Sequence, residues 1–128
     1  MNNGIILNEK ELREARLRLA AFETALATEQ SLRRVADGLP PEVVKQVTAT
    51  MQLEREDLSD AINAYESAKE TGKPTHLERR ADKDPGLVLI VARISKGYSQ
   101  RDLAWRLGVK EQQVQRYEAD RYNSISIK

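Results

Sequence analysis

Residues 97–118 (Gly-Tyr-Ser-Gln-Arg-Asp-Leu-Ala-Trp-Arg-Leu-Gly-Val-Lys-Glu-Gln-Gln-Val-Gln-Arg-Tyr-Glu) constrain the fold more than any other stretch of this 128-residue chain. They read as two short helices joined by a tight turn. Ser99 is placed to cap the first helix, and Asp102 three residues on completes a capping box in outline, Asp standing for the usual Glu or Gln. Leu103, Ala104 and Leu107 form one apolar stripe at helical spacing. Gly108 follows directly, where a residue with positive φ ends a helix without steric cost. Val109 plugs the turn. The second helix then presents Val114 and Tyr117 inward, with Glu111, Gln112, Gln115 and Arg116 outward. Small Ala104 sits where two helices must cross closely.

Similar reasoning orders the rest of the chain. Asn8 with Glu11 outlines another capping box and opens a helical pattern running to about Ala36. Within it Leu12, Ala15, Leu19, Phe22 and Leu26 repeat by threes and fours. Asp37-Gly38 stops this helix, and Pro40-Pro41 starts another, because a missing N–H costs nothing at a first helical position. Val44, Val47, Met51, Glu54, Leu58, Ala61, Tyr65 and Ala68 make the second stripe, apolar or small except at Glu54, and Gly72 and Pro74 close it. Each helix has about thirty residues and a length of about 45 Å. A short turn between them predicts an antiparallel hairpin that pairs Leu26 with Met51, Leu19 with Leu58 and Leu12 with Tyr65.

A lone seam rarely holds two long helices in water. Off-seam residues such as Leu17, Leu32, Val35, Val43, Leu53 and Ile62 predict a second buried face, supplied either by the C-terminal part of the same chain or by a second copy. A homodimer through the hairpin is the expectation. Gly4-Ile5-Ile6-Leu7 is either a strand fragment or a hydrophobic lead-in. Residues 73–85, rich in charge and breakers, predict a linker in which Leu77 is a single anchor. Residues 87–92 suit a buried strand or a helix on periodicity alone, and the adjoining motif, which needs a preceding helix, decides for helix. The expected organisation is all-α: a long helical hairpin over 1–72, a linker over 73–85 and a helix-turn-helix unit over 86–128.

Composition narrows the chemistry. Charged residues make up 32% and aromatics 5%, a balance that favours helices. The absence of cysteine excludes a disulfide framework and a thiolate metal site. His76 is the single histidine and sits in the linker without a second ligand at metal spacing. There is no Gly-rich phosphate loop and no nucleophile elbow, so no enzyme, metal or cofactor is expected. The longest apolar run is far too short to span a bilayer, and no signal-peptide pattern opens the chain, so a cytoplasmic location is expected. The net charge of +1 hides an asymmetry: residues 8–70 hold thirteen acids and nine bases, residues 71–128 seven acids and twelve bases. A basic C-terminal half on an acidic N-terminal half points to a polyanionic partner for the former.

Ser-Gln at 99–100, Leu-Ala at 103–104, Leu-Gly-Val at 107–109 and Tyr-Glu at 117–118 fall in register with one family. From about Leu89 to Asn123 the chain resembles the phage-repressor-like, or Xre/Cro, helix-turn-helix proteins. The resemblance implies double-stranded DNA as partner and the second motif helix as the reader of bases. Amide and guanidinium side chains suit base edges in the major groove. By resemblance the base-reading positions are Glu111, Gln112 and Arg116, with Gln115 and Lys110 beside them. Gln100 matches a glutamine that holds a phosphate in the family. Lys110, Arg101, Arg106 and Arg121 are further phosphate candidates, as are Arg93 and Lys96. The family commonly joins the positions of Arg93 and Glu118 by a salt bridge, and so implies one here.

The family domain has five helices, and the last two are expected to be missing here. Residues 124–128 would remain, and Ile125 and Ile127 suit a strand paired with Ile5-Ile6-Leu7 as well as a helix. Trp105 stands where the family usually has a charged residue; it either covers the linker or hairpin, stacks on Arg101 or meets a partner. The expected function is transcriptional repression by a dimer on an operator. The alternative is a protein-interaction module, such as the antitoxin of a toxin–antitoxin pair, binding a toxin through the hairpin or the open C-terminal core.

Overall fold

The computed structural model describes residues 4–81 and 84–123, which form seven helices. Helix α1 (Glu9–Leu26) opens on the Asn8 cap: Asn8 Oδ1 accepts the Glu11 N–H at 2.9 Å, and Glu11 Oε1 accepts the Leu7 N–H at 2.9 Å. The single helix expected to reach Ala36 is interrupted. Thr28 turns extended and caps a separate α2 (Glu29–Val35), its hydroxyl accepting the Ser31 N–H at 3.0 Å. That hydroxyl gives the backbone a partner outside the helical ladder, and an unbroken apolar periodicity hides the choice. Helix α3 (Pro41–Thr71) runs without interruption until Gly72 stops it in the left-handed region at φ 70°. Ion pairs Glu9–Lys69 and Arg16–Glu66 cross between α1 and α3 and fix their antiparallel direction.

Burial along this hairpin is uneven. Leu12, Ala15, Leu58, Ala61, Tyr65 and Ala68 are buried, whereas Leu26, Val44, Val47 and Met51 towards the other end are half-buried. Burial pushes the Tyr65 hydroxyl up to about 12, with the charge of Glu9 adding to it.

The buried end is the end on which the rest of the chain sits. Residues 73–85, expected as a linker, contain α4 (Thr75–Ala81), in which Leu77 and Ala81 are both buried. Arg80 anchors it, pairing with Asp57 at 2.8 Å and donating from Nε to the Gly4 carbonyl at 2.9 Å. Helix α5 (Pro85–Ser95) then packs on α3 and α4, and α6 (Gln100–Leu107) and α7 (Glu111–Ala119) follow. One apolar core joins Ile5, Ile6 and Leu7 to the hairpin base and to Leu87, Ile90, Val91 and Ile94 of α5. Residues 5–7, the hairpin base, α4 and α5 therefore share one core. Of the off-seam residues, Ile62 is buried in that core, while Leu17 and Leu53 stay 73% and 66% exposed. The expected end structure at Ile125 and Ile127 lies outside the described residues.

The head is also closed on itself. Asp84 accepts the N–H groups of Gly86 and Leu87 and pairs with Arg121 at 3.2 Å. Arg121 and Tyr122 both adopt positive φ, 53° and 60°, so the chain after α7 folds back upon the start of α5. A Cβ at Gly86 would lie 1.9 Å from the Arg121 carbonyl oxygen, so only glycine allows this approach.

Candidate nucleic-acid interface

Local sequence shapes the motif helices. The Ser99 hydroxyl accepts the Asp102 N–H at 3.0 Å, and the Asp102 carboxylate accepts the Ser99 N–H at 2.9 Å. The Ser99 N–H holds the Asp102 carboxyl below its ordinary value, with the serine side chain adding to the effect. Gly108 ends α6 at φ 71°, and Ala104 and Val114 are buried where α6 and α7 cross. Leu107, expected in the inward stripe, is 59% exposed.

A buried ionic network sets the pose of α7. Arg93 grips Glu118 with two donors, Nε to Oε2 at 2.6 Å and Nη2 to Oε1 at 3.0 Å. The same guanidinium donates to the Tyr98 carbonyl at 2.7 Å and to the Leu7 carbonyl at 2.8 Å. Gln100 Nε2 adds a bond to Glu118 Oε1 at 2.9 Å. Both charged side chains are 4% exposed, and a planar fork suits a carboxylate held at this depth. The network joins α5, the α5–α6 turn, α7 and the N-terminal segment. Among the described residues no buried side-chain polar atom lacks a partner.

With Glu118 neutralised inside and Asp102 engaged at its cap, the outer face is left to other residues. Glu111, Gln112, Gln115 and Arg116 are all exposed on α7. At helical spacing they span one continuous arc, with buried Glu118 and then Val114 beyond its Glu111 side. Exposed Gln113, absent from the sequence-based set, lies at the edge of that arc. Lys96, Arg101, Arg106 and Lys110 are exposed as well, and Arg106 stacks its guanidinium 4.3 Å over the Tyr98 ring.

Other candidates have internal partners. Arg93 is buried and cannot meet a phosphate. Gln100, expected on a phosphate, has an amide N–H on Glu118 instead. Arg121, also expected on a phosphate, is half-buried against Asp84. Trp105 covers neither linker nor hairpin, since it is 80% exposed.

Two clefts border these helices, both walled on one side by the start of α1. One brings Lys10 and Arg13 beside Gln100 and Glu111, and the other brings Lys10 beside Gln100 and Gln115. Sequence reasoning gave no hint of these hairpin residues here, because only tertiary packing brings position 10 to position 100.

Residues 89–128 match the family model described as helix-turn-helix. The head is a helix-turn-helix domain. Its resemblance to the Xre and phage-repressor type thus rests on the family match as well as on the cap, turn and crossing seen here. The coarse role that goes with such a domain is DNA binding in regulation. No curated protein and no solved structure matches the chain. Among the described residues no helix is long and apolar enough to cross a membrane, and no group of acids and histidine is placed to hold a metal.

Proposed function

We propose that the protein is a sequence-specific DNA-binding transcriptional regulator, a repressor that works as a cytoplasmic dimer. The observation that carries this reading is the exposed arc Glu111, Gln112, Gln115 and Arg116 on a helix held in place by the buried Arg93–Glu118 network. Amides and a guanidinium on a rigid helix are the groups that discriminate base pairs in a major groove. Exposed Arg101, Arg106 and Lys110 supply backbone contacts that fix register without reading sequence.

A gel shift on the DNA upstream of its own gene tests the reading. Arg116→Ala or Gln112→Ala should cost about 1–3 kcal/mol on the specific site and relax its sequence preference. Arg106→Ala should weaken binding to all sequences and flatten the salt dependence. Equal losses on specific and random duplexes for Arg116→Ala would count against base reading.

We assign dimerisation to the hairpin, where Leu17 and Leu53 stand exposed and a second copy would cover them. Light scattering of the full chain should give twice the monomer mass. Leu17→Glu with Leu53→Glu should return it to the monomer. A wild-type monomer at micromolar concentration would remove this part of the proposal.

A second reading, a protein-interaction module of the antitoxin kind, draws on Trp105 and Leu107, two large exposed apolar side chains on α6. Co-purification with the product of a neighbouring gene, lost on Trp105→Ala, is the result it requires.

A further inference from the structure

The start of α1 belongs to the acidic half of the chain, yet it meets the motif helices with cations. Lys10 lines both clefts there, beside Gln100 in each, with Glu111 across the first and Gln115 across the second. Arg13 lines the first cleft with it. The two positions are three apart on a helix and share a face. Both side chains are exposed, and among the described residues neither has an ion-pair partner. The two acids that flank Lys10 are engaged elsewhere: Glu9 pairs with Lys69, and Glu11 accepts the Leu7 N–H. The shared core holds α1 against the head, so these cations have a defined place relative to α7.

We propose that Lys10 and Arg13 of α1 form part of the DNA interface, contacting backbone phosphates beside the bases that α7 reads. The hairpin base and the head then bind one duplex as a single surface. This rests on the reading of the head as DNA-binding. A duplex carries a phosphate charge every ~1.7 Å along its axis, so a strand passing the Glu111–Gln115 edge of α7 reaches the Lys10 side of the clefts. Such contacts position the protein and add affinity without reading sequence.

The test measures binding of the full chain to a fluorescein-labelled duplex of mixed sequence over a salt series. Lys10→Gln with Arg13→Gln should lower affinity about tenfold or more near 0.1 M salt and reduce the slope of log K against log salt by about 1.8. Arg34→Gln with Lys45→Gln, on α2 and the start of α3, removes the same charge at the far end of the hairpin and should change neither. Arg106→Gln reports on the head alone and should weaken binding. If Arg106→Gln weakens binding while the Lys10 and Arg13 variant matches wild type, the proposal falls and the DNA reading stands. Equal losses for the two double variants would reduce the effect to net charge and also overturn it. Failure of the wild type to bind duplex at low salt overturns both. Thermal melts of the two double variants should be unchanged, since their substituted side chains are exposed.

Discussion

Replacing Arg93 with methionine is expected to cost about 3–5 kcal/mol of folding stability, because Glu118 is then a buried carboxylate without its counter-charge. Among the described residues only Gln100 would still donate to that carboxylate, and the Leu7 and Tyr98 carbonyls would lose the guanidinium as well. Glu118→Leu should cost a similar amount, since it strands a buried cation. The double variant should be less damaged than the sum of the two, because an apolar pair leaves no charge behind. Urea midpoints for the four proteins of the cycle give the coupling directly. Additive effects would mean that the pair contributes no more than two independent contacts.

Ile6→Ala is expected to cost about 2–5 kcal/mol, the range for deleting a fully buried aliphatic side chain. Ile6 has no exposed surface and lies in the core shared by the hairpin base and α5. The loss should therefore appear in both parts at once. Amide signals from α1 and from α7 should disappear at the same, lowered urea concentration. Separate midpoints would show that hairpin and head unfold as independent units.

What was legible in the sequence is what is local. The Ser99 cap, the Gly108 stop and the small Ala104 act within a few residues of themselves, and their spacing announces α6, the turn and α7. The long stripe over residues 44–68 announces α3 for a similar reason. The pair Arg93–Glu118 came only from the family resemblance, as periodicity says nothing about which buried charge meets which. Thr28 was hidden because the repeat through Leu26 continues smoothly to the eye, while one hydroxyl decides the break. Helix α4 was hidden because it offers just Leu77 and Ala81 to the core amid charges. The place of Ile5-Ile6-Leu7 was unreadable, since three apolar residues without a period do not name their partner. Nothing local marks Lys10 and Arg13, because only tertiary packing sets α1 beside α6 and α7.

The bond from Arg93 to the Leu7 carbonyl spans 86 positions of chain, and that from Arg80 to Gly4 spans 76. Helical proteins usually settle quickly because their contacts lie close in sequence. This one must close a long loop before its first residues find their place. On the ribosome, Ile5, Ile6 and Leu7 emerge roughly 4–17 s ahead of Arg93, at 5–20 residues per second. For that interval the nascent chain carries an uncovered aliphatic tripeptide, a natural handle for a chaperone. Refolding in the test tube should accordingly be slower than for an up-and-down bundle of the same length.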